Sequence, residues 1–214
     1  MLTGLPVFAA FLVVFAAGLT LVFKPFAVLH ARDLRTPWLA TIAIVPLAWM
    51  APSVVPGGPS LRLSFACLLV LMFGWPLAIW TLLLIAAIVA AFSGAGVRGA
   101  FELAAWHGVV PATFALAVGI ALRRWLPPHV FVYILGRGFF GTVIATVGAG
   151  ALATLLRPLP PGTTAPALLV GSWLTAWSEA VITGMLTAIF VAYQPQWLFT
   201  WSDRRYLPRP PAGG

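Results

Sequence analysis

Between Leu61 and Ser93 the chain reads LRLSFACLLVLMFGWPLAIWTLLLIAAIVAAFS, 33 residues with a single charge, Arg62, and a single interruption, Gly74-Trp75-Pro76. A helix crosses the hydrocarbon of a bilayer in about 20 apolar residues, so this stretch is too long for one crossing and short for two. Proline lacks the amide hydrogen and disfavours a helical residue before it, which predicts a break at Gly74–Pro76. The break leaves a short helix, Leu61–Phe73, and a longer one, Leu77–Ser93. Thirteen residues rise about 20 Å, too little to cross alone. The preceding Val55-Pro56-Gly57-Gly58-Pro59-Ser60 then reads in one of two ways. It is either an irregular segment dipping toward the membrane, tolerated only against protein or a wet cavity, or a tight surface turn.

Working outward, five further apolar runs stand clear: Leu5–Phe23, Trp38–Val55, Gly99–Leu122, Val130–Leu156 and Ala165–Tyr193. The whole chain is 62% hydrophobic, with only 12 Lys and Arg and 4 Asp and Glu among 214 residues. Barrel strands alternate apolar and polar residues with period two, and these runs do not. The expected fold is therefore an all-α integral membrane bundle. Residues 1–206 form one polytopic domain, and 207–214 a disordered Pro-rich tail without apolar periodicity. The N-terminus has no basic region and no small-residue cleavage site, so the first run reads as a retained span.

Charge placement gives the topology. With seven spans and the N-terminus outside, one set of connections holds Lys24, Arg32, Arg35, Arg123, Arg124, Arg204, Arg205 and Arg209. The other holds only Arg62, Arg98 and Arg157. That asymmetry is the one expected of a cytoplasmic face, and a six-span count loses it. Trp38, Trp75, Trp125, Trp197 and Trp201 fall at the same predicted inner interface, where indoles settle. The net charge of +8 is thus spread over helix ends and orients the protein. It forms no dense patch for nucleic acid. The expected location is the inner (cytoplasmic) membrane, multi-pass. A lone Cys67 rules out an internal disulfide and a Cys-based metal cluster.

Ionisable groups at membrane depth are expensive, and each is a functional candidate by default. Glu179 lies near the middle of the last run. Ser172, Thr175, Thr183 and Thr187 share its helix face at spacings of three and four, so a polar stripe faces the bundle interior or a wet path. Arg137 reads as a partner for Glu179, if their helices touch, or as a cation snorkelling to the inner interface. Glu102 and His107 are about 140° apart on one helix and cannot chelate an ion without a second helix. His107 reads either as a hydrogen-bonded interior imidazole or as a ligand, and Glu102 as a solvated carboxylate or its companion. His30 and His129 fall in loops and are assigned no role. Small residues at four-residue spacing, Gly138, Thr142, Thr146, Gly150 and Thr154, with Ala176, Ala180 and Gly184 on the last run, predict close helix packing within the chain or against a partner subunit. No phosphate-binding Gly-rich loop, His-Glu-x-x-His pair or Gly-x-Ser-x-Gly elbow occurs, so no nucleotide hydrolysis or other catalysis is expected of this chain.

Three stretches resemble the membrane substrate-capture subunits of energy-coupling-factor ABC transporters for cobalt and nickel (CbiM/NikM-like). Val55–Leu63 is similar to that family's Pro-Gly-Gly-Thr-Ser-Gly-His-Leu loop, and Gly74-Trp75-Pro76 to the Gly-Pro-Trp break that follows. Ser178–Gly184, with Pro195 after the helix, is similar to its Glu-Gly-x-Ile-Thr-Gly helix. The resemblance implies a seven-span fold, a mobile loop at Pro56, Gly57, Gly58 and Arg62, and separate coupling and ATPase subunits. It also implies a divalent transition-metal ion as substrate. Two departures change the site: Leu2 and Arg62 stand where the family carries ligand histidines. Leu has no lone pair and Arg is a permanent cation. A metal would need substitutes such as His107 with Glu102, while Glu179, Thr175, Thr183 and Arg137 line the path. Two function classes follow. One is a transporter component, and the other a non-transporting binding or assembly protein that keeps the fold.

Overall fold

The structure, a computed structural model, describes residues 5–31, 34–51 and 62–207. Among these residues it is all helix and connection, without a strand. The elements are α1 (Leu5–Leu21), the short α2 (Ala27–Ala31), α3 (Arg35–Met50) and α4 (Ala66–Ser93). After them come α5 (Gly96–Trp125), α6 (Val132–Leu156), α7 (Ala165–Tyr193) and a terminal turn, α8 (Asp203–Tyr206). Four helices, α4 to α7, are long and apolar enough to cross a membrane. α1 and α3 are shorter, at 17 and 16 residues. Large apolar side chains cover the outside: Leu155 is 80% exposed and Trp125 and Val22 are each 77% exposed. A surface this apolar is suited to lipid rather than water.

α4 is broken where the sequence predicts. Gly74 has φ 73° and ψ 160°, a region essentially reserved for glycine, and the chain turns back there. The proof lies on α5. Ser64, just before α4, donates its hydroxyl to the His107 carbonyl at 2.6 Å. A Cβ at the adjoining Gly108 would meet the Leu82 Cβ at 3.1 Å. In a straight helix Ser64 and Leu82 would stand about 27 Å apart, so the two halves of α4 must run side by side in opposite directions. The first half, Ala66 to Phe73, is buried at every position. The short helix begins at Ala66 rather than Leu61, because Arg62 to Phe65 are non-helical and Phe65 sits in the left-handed region at φ 57°. Pro56, Gly57 and Gly58 lie outside the described residues, as does the tail beyond Leu207.

The small-residue ridges pack α6 against α7 inside this chain. A Cβ on Gly138 would meet the Thr187 hydroxyl at 3.0 Å, one on Gly184 would meet the Phe139 Cβ at 3.3 Å, and one on Gly150 would overlap Ser172. Gly150→Leu is therefore expected to force the helices apart and to destabilise the protein by about 1–3 kcal/mol, the usual range for overpacking. Thermal unfolding in detergent measures it. Of the five tryptophans assigned to one interface, Trp125 is exposed, but Trp201 is buried. Trp201 packs on the Tyr133 and Tyr206 rings, each 4.9 Å away, and its indole N–H donates to Asp203 at 2.7 Å. That local acceptor lets the indole enter the protein instead of facing lipid headgroups.

Candidate functional site

Glu179 is fully buried on α7, about 21 Å along the helix from its start at Ala165. Its Oε2 accepts a hydrogen bond from the Ser64 amide at 3.2 Å, and the Thr146 hydroxyl on α6 lies 3.5 Å away. A carboxyl oxygen from one helix thus accepts the backbone amide of the segment that leads into another, two residues before its first turn. Oε1 has no partner among the described residues, nor do the buried Thr183 and Thr187 hydroxyls below it on the same stripe.

Ser64 joins four helices at this point. Its amide reaches α7 and its hydroxyl reaches the His107 carbonyl on α5. Its carbonyl accepts the Trp49 indole N–H from α3 at 3.2 Å. The same hydroxyl accepts the Ala66 amide at 3.1 Å, opening α4. Sequence reasoning missed this residue, although a Ser shortly before an apolar run is an N-cap signal. It missed Trp49 as well, whose role depends on a contact 15 residues away.

Above Ser64 lies a cavity of about 380 Å³ between the start of α4, α5, α6 and α7, at the Arg157 end of the bundle. Arg62, His107, Thr146, Arg157, Ser172 and Thr175 are among its walls. Thr146 belongs both to the cavity and to the surroundings of Glu179, so the carboxyl group lies just behind the floor. Arg157 pairs with Glu102 at 3.6 Å and lies over the Trp106 ring, 5.6 Å from its centroid. Arg62 has no ion-pair partner among the described residues.

α5 carries a π turn over Ala104–Val109. Wider turns of this kind occur often at functional sites, and here the turn contains His107. The imidazole packs against Trp49, ring centroids 5.9 Å apart, and its buried Nδ1 has no partner. His107 is thus interior but not hydrogen-bonded through that atom. Glu102 is engaged by Arg157 rather than merely solvated. Among the described residues no group of three His, Cys, Asp or Glu could hold a metal ion.

Arg137 does not pair with Glu179. Its guanidinium donates to the Gly119 carbonyl at 3.2 Å and lies 5.7 Å from the Tyr133 ring centroid. It lines a separate, mostly apolar cavity beside Gly74 and Phe199 at the opposite end. Of the residues predicted to form one path, the structure brings Thr175, Glu179 and Thr183 into line on α7 and leaves Arg137 elsewhere. Neither the scan of family models nor the searches of curated proteins and solved structures finds a match to the chain.

Proposed function

We propose that this chain is the substrate-capturing membrane subunit of a transporter of the energy-coupling-factor kind, working with separately encoded coupling and ATPase subunits. In this reading it crosses the inner membrane seven times, N-terminus outside and C-terminus in the cytoplasm. The two halves of α4 then count separately, which restores the excess of Lys and Arg on the cytoplasmic side. The cavity at the Arg157 end faces outward and receives the solute.

One observation carries the proposal. The short half of α4 is preceded by the non-helical Arg62 to Phe65 at the floor of a cavity, and a carboxyl group halfway along α7 lies just behind that floor. Irregular backbone at such depth is tolerated only where protein or a cavity satisfies it, and membrane transporters place their ligands beside discontinuous helices.

The test is purification from native membranes. An ATPase and a second membrane subunit should accompany the chain, and the reconstituted assembly should accumulate solute only with ATP. Reporter fusions should find the two termini on opposite sides. Recovery of the chain alone, without ATP-dependent uptake, would instead favour the binding or assembly role. Arg62, a cation at the cavity wall without an ion-pair partner among the described residues, suits that role too, as a contact for an acidic segment.

A further inference from the structure

We infer that the cavity at the Arg157 end takes a small organic anion that also carries hydroxyl or amine donors, rather than a bare metal ion. The inference deepens the capture role and rests on it for biological meaning, but its physical basis is separate.

Size comes first. A space of about 380 Å³ is within the usual range for small-molecule sites. It would hold about a dozen waters at their liquid volume of ~30 Å³ each. A dehydrated divalent ion would touch only a fraction of such a wall.

Charge comes second. Two guanidinium groups, Arg62 and Arg157, line the cavity, and no Asp or Glu does among the described lining residues. Glu102 pairs with Arg157, which leaves Arg62 without an ion-pair partner among the described residues. A transition metal would need several lone pairs close together, yet it would find His107 facing two cations. A carboxylate or phosphate finds forked donors that match its own geometry.

The α6 and α7 walls supply hydroxyls. The hydroxyls of Thr154, Ser172 and Thr175 each donate to a carbonyl of their own helix, at 2.9 Å in every case. All three residues line the cavity and each hydroxyl keeps lone pairs free to accept, so a ligand body that carries donors matches them. An anionic head at Arg62 and Arg157, followed by hydroxyl or ammonium groups, satisfies both halves.

The experiment is thermal unfolding of the purified chain in nanodiscs, with citrate, tricarballylate, glutamate, inorganic phosphate and nickel as probes at matched ionic strength. Binding to the folded state raises the midpoint. Citrate or glutamate should raise it. Tricarballylate, which is citrate without its hydroxyl, should bind at least about tenfold more weakly than citrate. Arg62→Ala should weaken binding of the effective anion by about ten- to hundredfold, and Arg62→Lys should recover part of it.

Anions such as phosphate also stabilise folded proteins by exclusion from the surface. A shift that persists in Arg62→Ala would therefore overturn the assignment. Nanodiscs of neutral lipid and of anionic lipid separate the sources: stabilisation by anionic lipid with no response to soluble anions would give the site to a lipid headgroup and overturn the soluble-anion assignment. Stabilisation by nickel that is lost in His107→Ala would overturn the anion and leave the capture role standing. No response to any probe would also overturn it, while ATP-dependent uptake would still decide the transporter reading on its own.

Discussion

Glu179→Ala is expected to lower the unfolding temperature far more than Glu179→Gln. Alanine leaves the buried Ser64 amide without its acceptor and opens space beside Thr146. Removing one partner of a buried hydrogen bond costs about 1–3 kcal/mol, and truncating a large buried side chain adds a cavity penalty of similar size. Together these place the alanine variant about 2–6 kcal/mol below the parent. Glutamine retains the shape and one carbonyl oxygen, so the Ser64 amide stays bonded and the loss stays within about 1 kcal/mol. Thermal melts of both variants in the same detergent make the comparison. Equal destabilisation would show that the carboxyl group acts through bulk alone. If Glu179 also closes the solute path, the glutamine variant should reach the membrane folded and still accumulate less solute in the reconstituted assembly.

Gly74→Ala should be nearly as damaging although it adds one methyl group. Two penalties coincide. A side chain at φ 73° and ψ 160° carries about 1–3 kcal/mol of backbone strain. The new Cβ would also lie 2.8 Å from the Phe199 ring, forcing the ring or the helix to move. The expected loss is about 2–4 kcal/mol. Combining it with Phe199→Ala separates the two contributions. The double variant should recover the steric part relative to Phe199→Ala alone, while the backbone part remains. Full recovery would mean that Gly74 is there only to admit the ring.

These residues also show what one sequence can reveal. The turn at Gly74 was legible because its cause is local: Pro76 cannot donate, and glycine alone accepts the dihedral angles required. The depth of Glu179 and its threonine stripe were legible because helical periodicity relates them. The carboxylate's partner was not. Charge complementarity pointed to Arg137, whereas the structure supplies the backbone amide of Ser64, 115 residues away. An amide carries no side-chain signature, so nothing in the sequence marks it as a counterpart. The π turn around His107 was equally hidden, because its residues also fit an ordinary α-helix. A rule about membrane surfaces is blind to local acceptors: Trp201 donates its N–H to Asp203, Trp38 to Thr81 and Trp75 to Thr113.

The rod from Ala66 to Phe73 is fastened at both ends by the same stretch of chain. Glu179 grips its start, and beyond α7 the Phe199 amide donates to the Met72 carbonyl at 2.9 Å and the Thr200 amide to the Leu71 carbonyl at 3.3 Å. Rod and clamp therefore travel together: sliding one along the other would break all three bonds at once. Any breathing of the cavity that preserves them must come from its other walls, α5 and α6, and on the α5 side the bond from the Ser64 hydroxyl to the His107 carbonyl acts as the latch.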